Sequence, residues 1–172
     1  MGAACTFNVV FTPAAGTVAG TAFSRTLTVA YTGATVTGSP VTLTGTAVAP
    51  GTLTFTSATN GTLTGAGLGR TLTFTIPAPR APVTSVVTVT NSGAGALTIT
   101  AETLAINIGG LYSVAGTTCL AAPIAAGGTC TVSLTYATPA TLPAAADTGA
   151  LTVANNGSGT IAGVTPLILS AR

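Results

Sequence analysis

The first 45 or so residues of this chain reappear at its other end, and that repetition limits what the chain can fold into. Ala4-Cys5-Thr6-Phe7-Asn8-Val9-Val10-Phe11-Thr12 lines up with Thr129-Cys130-Thr131-Val132-Ser133-Leu134-Thr135-Tyr136-Ala137. Leu27-Thr28-Val29 then matches Leu151-Thr152-Val153, and Pro40-Val41-Thr42-Leu43-Thr44 matches Pro166-Leu167-Ile168-Leu169-Ser170. The two cysteines are 130 − 5 = 125 positions apart, about the length of one small all-β domain. The repeat therefore reads as one and a half units. Residues 1–49 are the back half of one unit, and residues 50–172 are a whole second one, joined by the short linker Ala47-Val48-Ala49-Pro50-Gly51.

Within both units the period is two. Thr26-Leu27-Thr28-Val29, Thr52-Leu53-Thr54-Phe55-Thr56, Thr71-Leu72-Thr73-Phe74-Thr75-Ile76, Val87-Thr88-Val89-Thr90 and Leu97-Thr98-Ile99-Thr100 all alternate hydroxyl with apolar. Alternate residues of a strand face opposite sides, so these runs turn Leu, Val, Phe and Ile to a core and Thr to water. Threonine suits the outer face because it is β-branched and keeps a polar tip. No window repeats apolar residues at helical spacing. The pattern predicts strands near 5–12, 25–32, 40–47, 52–57, 71–76, 84–90, 96–101, 111–114, 129–136, 148–154 and 164–170. Asn60-Gly61 and Asn156-Gly157 mark tight turns, and Asn91-Ser92-Gly93-Ala94-Gly95 reads as a hairpin-like connection. Short strands with regular turn signals point to an all-β sandwich. Phe55, Phe74, Tyr112 and Tyr136 are expected in the core of the whole unit, and Phe7, Phe11 and Tyr31 in that of the partial one.

Composition removes several functions. Only 3% of the chain is charged: Arg25, Arg70, Arg80, Arg172, Glu102 and Asp147. Histidine, lysine and tryptophan are absent, and threonine makes up roughly a fifth of the chain, far above ordinary usage. The chain is 47% apolar, so it is not a disordered polar tract. No run of about 18 apolar residues escapes interruption, so no transmembrane segment is expected. The arginines are scattered, which argues against a nucleic-acid footprint. A surface with so little charge lacks the repulsion that keeps proteins apart, and it favours self-association.

Sites for chemistry are few. Without histidine there is no Ser-His-Asp arrangement and no usual zinc set, and no Asp-rich loop suggests calcium. No catalytic residue, cofactor or metal is expected. Glu102 and Asp147, the only carboxylates, read as solvated or arginine-paired rather than as a catalytic pair. Cys119 and Cys130 flank a loop containing Pro123 and Gly127-Gly128, which favours a disulfide over a redox or metal site and an oxidising compartment. Cys5 corresponds to Cys130, and its natural partner would lie ahead of Met1. It therefore reads as an unpaired thiol, a thiol paired with another chain, or a buried inert one. Lipidation at Cys5 or myristoylation at Gly2 is set aside, because no apolar leader precedes the cysteine and the repeat already accounts for it. The missing leader is taken as processing or truncation rather than cytosolic residence. Arg70 and Arg80 read as solubilising neighbours of an aggregation-prone strand, with a weak carboxylate or glycan contact as the alternative.

The run Val87-Thr88-Val89-Thr90-Asn91-Ser92-Gly93-Ala94-Gly95-Ala96-Leu97-Thr98-Ile99, followed by Tyr112-Ser113, Thr118-Cys119 and Ala125–Tyr136, resembles the choice-of-anchor D and ASPM/SPD-2/hydin type repeats. That resemblance spans about residues 50–172, and 3–47 as a partial copy. It implies tandem immunoglobulin-like β-sandwiches in secreted or cell-surface bacterial proteins, with no active site. Residues 58–76 depart from it as an added hairpin. Three strands with one bare apolar side are marginal alone, so the expected partners are other copies of the chain in a homopolymer, or neighbouring repeats. The segment Thr71-Leu72-Thr73-Phe74-Thr75-Ile76 is the candidate strand donor. The function expected is that of a non-enzymatic extracellular structural protein, a subunit of a surface fibre or layer, with an adhesin spacer module as the alternative.

Overall fold

A computed structural model describes residues 6–14, 17, 19–30, 32, 38–141, 146–158 and 164–171. The chain is all-β and divides into two compact units, Met1–Ala49 and Pro50–Arg172. In the first, β1 (Ala22–Leu27) and β2 (Val41–Thr46) form an antiparallel pair. The second holds β3 (Leu53–Ala58), β4 (Gly61–Thr64), β5 (Thr71–Phe74), β6 (Val83–Asn91) and β7 (Ile99–Asn107), then β8 (Tyr112–Thr117), β9 (Thr129–Tyr136), β10 (Asp147–Asn155) and β11 (Val164–Ala171). They make a five-stranded sheet in the order β4-β5-β11-β10-β7 and a four-stranded sheet in the order β3-β6-β9-β8.

The alternation builds the second unit's core. Along β6 the pattern Val83, Ser85, Val87, Val89, Asn91 points inward, and Thr84, Val86, Thr88 and Thr90 point out. Inward residues of both sheets, among them Phe55, Leu72, Phe74, Val132, Leu134, Leu151, Leu167 and Leu169, form one apolar cluster. Phe74, Tyr112 and Tyr136 stack their rings in it at centroid distances of 5.2–6.0 Å. Ser85 is an exception: its hydroxyl is buried there without a hydrogen-bond partner. An unpaired buried hydroxyl costs stability, so Ser85→Ala is expected to raise the unfolding free energy by about 1 kcal/mol in urea titration.

Three readings need correction. First, β6 and β7 lie in different sheets, so Asn91–Gly95 is a crossover and not a hairpin. Asn91 holds it, its side chain accepting from the Thr52 and Gly93 amides and donating to the Gly95 and Ile124 carbonyls. Second, β7 runs well past residue 101, to Asn107, because β10 offers it an edge along that whole length. Third, no strand forms among residues 6–12. Within residues 58–76, β4 and β5 form an antiparallel pair.

Candidate functional site

The two units carry one hairpin in one register. Leu27 lies opposite Val41 and Arg25 opposite Leu43 in β1-β2. At the repeat-equivalent positions Leu151 lies opposite Leu167 and Gly149 opposite Leu169 in β10-β11. A third correspondence extends this. Phe11, equivalent to Tyr136, stacks on Phe23 at 5.4 Å. Tyr136 in turn donates its hydroxyl to Asp147, the residue equivalent to Phe23, at 2.5 Å. So residues 6–11 meet the first hairpin at the position where β9 meets β10.

What differs is cover. Val132, Leu134, Tyr136, Val153 and Leu167 are all 0% exposed, whereas their counterparts Phe7, Val9, Phe11, Val29 and Val41 are 61%, 55%, 47%, 40% and 45% exposed. Among the described residues of the first unit only Ala47 is buried. The expectation that Phe7 and Phe11 are core is thereby corrected: Phe11 stacks on Phe23, yet both rings stay largely exposed because no described residue covers them. Tyr31 lies outside the described residues. An open hollow of about 500 Å³ remains, lined by Val9, Phe11, Phe23, Arg25 and Leu43. Contiguous exposed apolar surface of this kind marks a site of association.

The missing strand at 6–12 has the same cause. In the second unit β9 takes all its ladder bonds from β6 and β8, on either side. Those strands belong to the front half of a unit, which residues 1–49 do not include. The 6–12 segment keeps its apolar contact with the hairpin through Phe11 and has no ladder partner among the described residues.

The candidate donor segment is occupied within its own unit. Thr71–Phe74 is held on both edges, antiparallel to β4 and parallel to β11. Leu72 and Phe74 are buried in the core of their own unit, and Thr75 and Ile76 follow the strand. Releasing this strand would open the second unit's core.

Cys119 and Cys130 form a buried disulfide with Cα atoms 5.0 Å apart. Cys5 lies outside the described residues. The Cys119 amide donates to Thr117 Oγ1, whose hydroxyl donates to Glu102 Oε1. Burial pushes the Glu102 carboxyl up from its ordinary value, and the Thr117 bond partly opposes this. Glu102 lies opposite Val153 on β10, six residues from Asp147. The two carboxylates are thus about 20 Å apart at ordinary strand rise, too far for paired acid–base work. No group of three or more His, Cys, Asp or Glu able to hold a metal occurs among the described residues. Arg80 donates to the Ala140 carbonyl, and the Arg70 Nε is buried without a partner.

Asp147 anchors two tyrosines, since Tyr112 also donates its hydroxyl to the Asp147 carbonyl at 2.7 Å. Burial first, then the bond to Asp147 and its charge, push the Tyr136 hydroxyl up to about 12. Burial, then Tyr136 and Asp147, push Tyr112 up as well. In the unfolded chain both ionise near the ordinary value of about 10. Above that pH the folded state holds more protons than the unfolded one. The stability present below pH 10 is therefore lost as pH rises toward 12. Urea midpoints between pH 8 and 12 should show this fall, and Tyr136→Phe should make it shallower.

The outer face of the four-stranded sheet solvates itself with hydroxyls. Thr90, Thr88 and Thr84 on β6 lie opposite Thr129, Thr131 and Thr135 on β9. Thr84 bonds Thr135 at 2.7 Å, Thr56 bonds Thr90 at 2.9 Å, and Ser57 donates to Thr88 at 2.9 Å. The alternating threonines showed which face was outward, but their cross-strand partners depend on register.

No family model matches the chain, and no curated protein matches it. Among solved structures it is similar to the secreted serine protease VesC from Vibrio cholerae, at 17% identity and a TM-score of 0.44. The match covers 59% of this chain and 21% of that one.

Proposed function

We propose that this is a non-enzymatic extracellular structural protein built from tandem immunoglobulin-like β-sandwich repeats of the choice-of-anchor D kind. Its bare first unit is an assembly site, through which copies associate into a surface fibre or layer. One observation carries the reading: the β1-β2 hairpin has the register of β10-β11, yet its apolar side is open where its counterpart is fully buried. The near absence of charge favours such contacts, and the Cys119–Cys130 disulfide fits an oxidising, secreted setting. No described helix is long and apolar enough to cross a membrane.

Light scattering coupled to size exclusion, with electron microscopy, tests the reading on the full chain. Oligomers should grow with concentration, and Val29→Asp with Val41→Asp should return the chain to monomer. A wild-type chain that stays monomeric at high micromolar concentration would contradict it. The second reading, a spacer module in a long multi-repeat adhesin, is favoured by the shared register of the two hairpins.

A further inference from the structure

Resting on the reading of the first unit as an assembly site, we infer that its specific occupant is the front half of a repeat of this chain's own kind. That segment is patterned like residues 50–127, and it stands to residues 6–46 as 50–127 stand to 128–172.

The second unit shows what such an occupant supplies. β10 takes β7 antiparallel on its outer edge, and β11 takes β5 parallel on its own. β9 takes β6 and β8, both antiparallel. All four of these strands fall between residues 71 and 117. Transferred to the first unit, the edge of β1 that no described strand occupies accepts an antiparallel strand, and that of β2 a parallel one. Residues 6–11 become the middle of a new sheet. The same segment would lay an apolar sheet over Phe7, Val9, Val29 and Val41.

Counting halves excludes the simpler occupant. Residues 1–172 carry two back halves, 1–49 and 128–172, and one front half, 50–127. Exchange of front halves between copies moves the vacancy from one unit to another and never fills it. Copies of these 172 residues can meet through the bare face, but they cannot complete it.

The repeat adds a chemical signature. Cys130 bonds Cys119, which belongs to the front half. Cys5 is the sequence equivalent of Cys130, so a front half docked in register brings its own counterpart of Cys119 to Cys5.

The test joins a second copy of residues 50–127 ahead of Ala3 in the full chain, folded in a glutathione redox buffer. Two thiols would give up two protons and two electrons to oxidised glutathione, forming one protein disulfide and two reduced glutathiones. Peptide mapping should find Cys5 bonded to the added copy of Cys119, beside the resident Cys119–Cys130 bond. Amide exchange in residues 6–11, 22–29 and 41–46 should slow on the order of 100-fold or more against the natural chain. Replacing the added Cys119 by Ala should leave Cys5 free and keep most of that slowing. The resident unit is the internal control, being the same pair of halves in the same order. If it folds while residues 6–11 exchange freely and Cys5 stays free or carries glutathione, the inference is overturned. If the added segment fails to settle, Phe11→Tyr with Phe23→Asp copies the Tyr136–Asp147 pair into the first unit, and unprotected residues 6–11 there also overturn it. These readouts do not depend on whether the natural chain polymerises, so the inference and the proposed function fail separately.

Discussion

Leu151→Ala will destabilise the second unit by about 2–5 kcal/mol, while Leu27→Ala, the same substitution at the repeat-equivalent position, will cost under about 1 kcal/mol. The two leucines hold repeat-equivalent positions in one hairpin register, Leu151 opposite Leu167 and Leu27 opposite Val41. Strand pairing is thus shared, and the main difference is the cover. Leu151 is 0% exposed, packed between two sheets, so truncation removes buried methyl groups and leaves a cavity that the surrounding strands cannot fill. Leu27 is half-buried on an uncovered sheet, where solvent or a neighbour can take up the lost volume. Urea unfolding followed by tyrosine fluorescence reads the second unit through Tyr112 and Tyr136, and amide exchange of β1 reads the first. Equal costs at the two positions would mean that the first unit has a core of its own, and the assembly site would go with it. In the chain carrying an added front half, Leu27→Ala should become as costly as Leu151→Ala.

Removing the Cys119–Cys130 bond, by reduction or by Cys119→Ala with Cys130→Ala, will lower the second unit's stability by about 3 kcal/mol. The bond closes a loop of 11 residues that joins the end of β8 to the start of β9. Its contribution comes mainly from limiting the unfolded chain. Cys119 is also tied to Thr117 and, through it, to Glu102 on β7 of the opposite sheet. Loosening the loop therefore loosens one of the links between the layers. The urea midpoint with and without reductant measures the effect. An unchanged midpoint would place the stabilisation elsewhere in the core. Association through the first unit should persist in the reduced protein, because the disulfide lies within the second unit.

Much of the second unit was legible before its coordinates. The alternation of Thr with Leu, Val or Phe in 52–56, 71–76 and 87–90 sets which side chains face inward, because side-chain direction in a strand follows local geometry alone. Phe55, Phe74, Tyr112 and Tyr136 accordingly sit in the core. The connection at Asn91–Gly95 was harder. Its Asn, Ser and Gly residues announce a turn in either case, and whether the chain folds back on its own sheet or crosses to the other depends on which edges are free. Glu102–Asn107 has weak strand propensity, and β10 alone makes it a strand. The segment 6–12 shows the converse, good strand sequence without a ladder partner.

By itself the sequence determined the all-β class, the inward and outward faces, and the doubling of one hairpin, since each follows from side-chain pattern within a few residues. Tertiary structure alone decided that β5 pairs parallel with β11, that the proposed donor is locked into its own sheet, and that Phe7, Val9 and Val41 are bare. Those outcomes depend on which distant strand occupies a given edge or face, and backbone hydrogen bonds carry no residue identity by which a local pattern could name it.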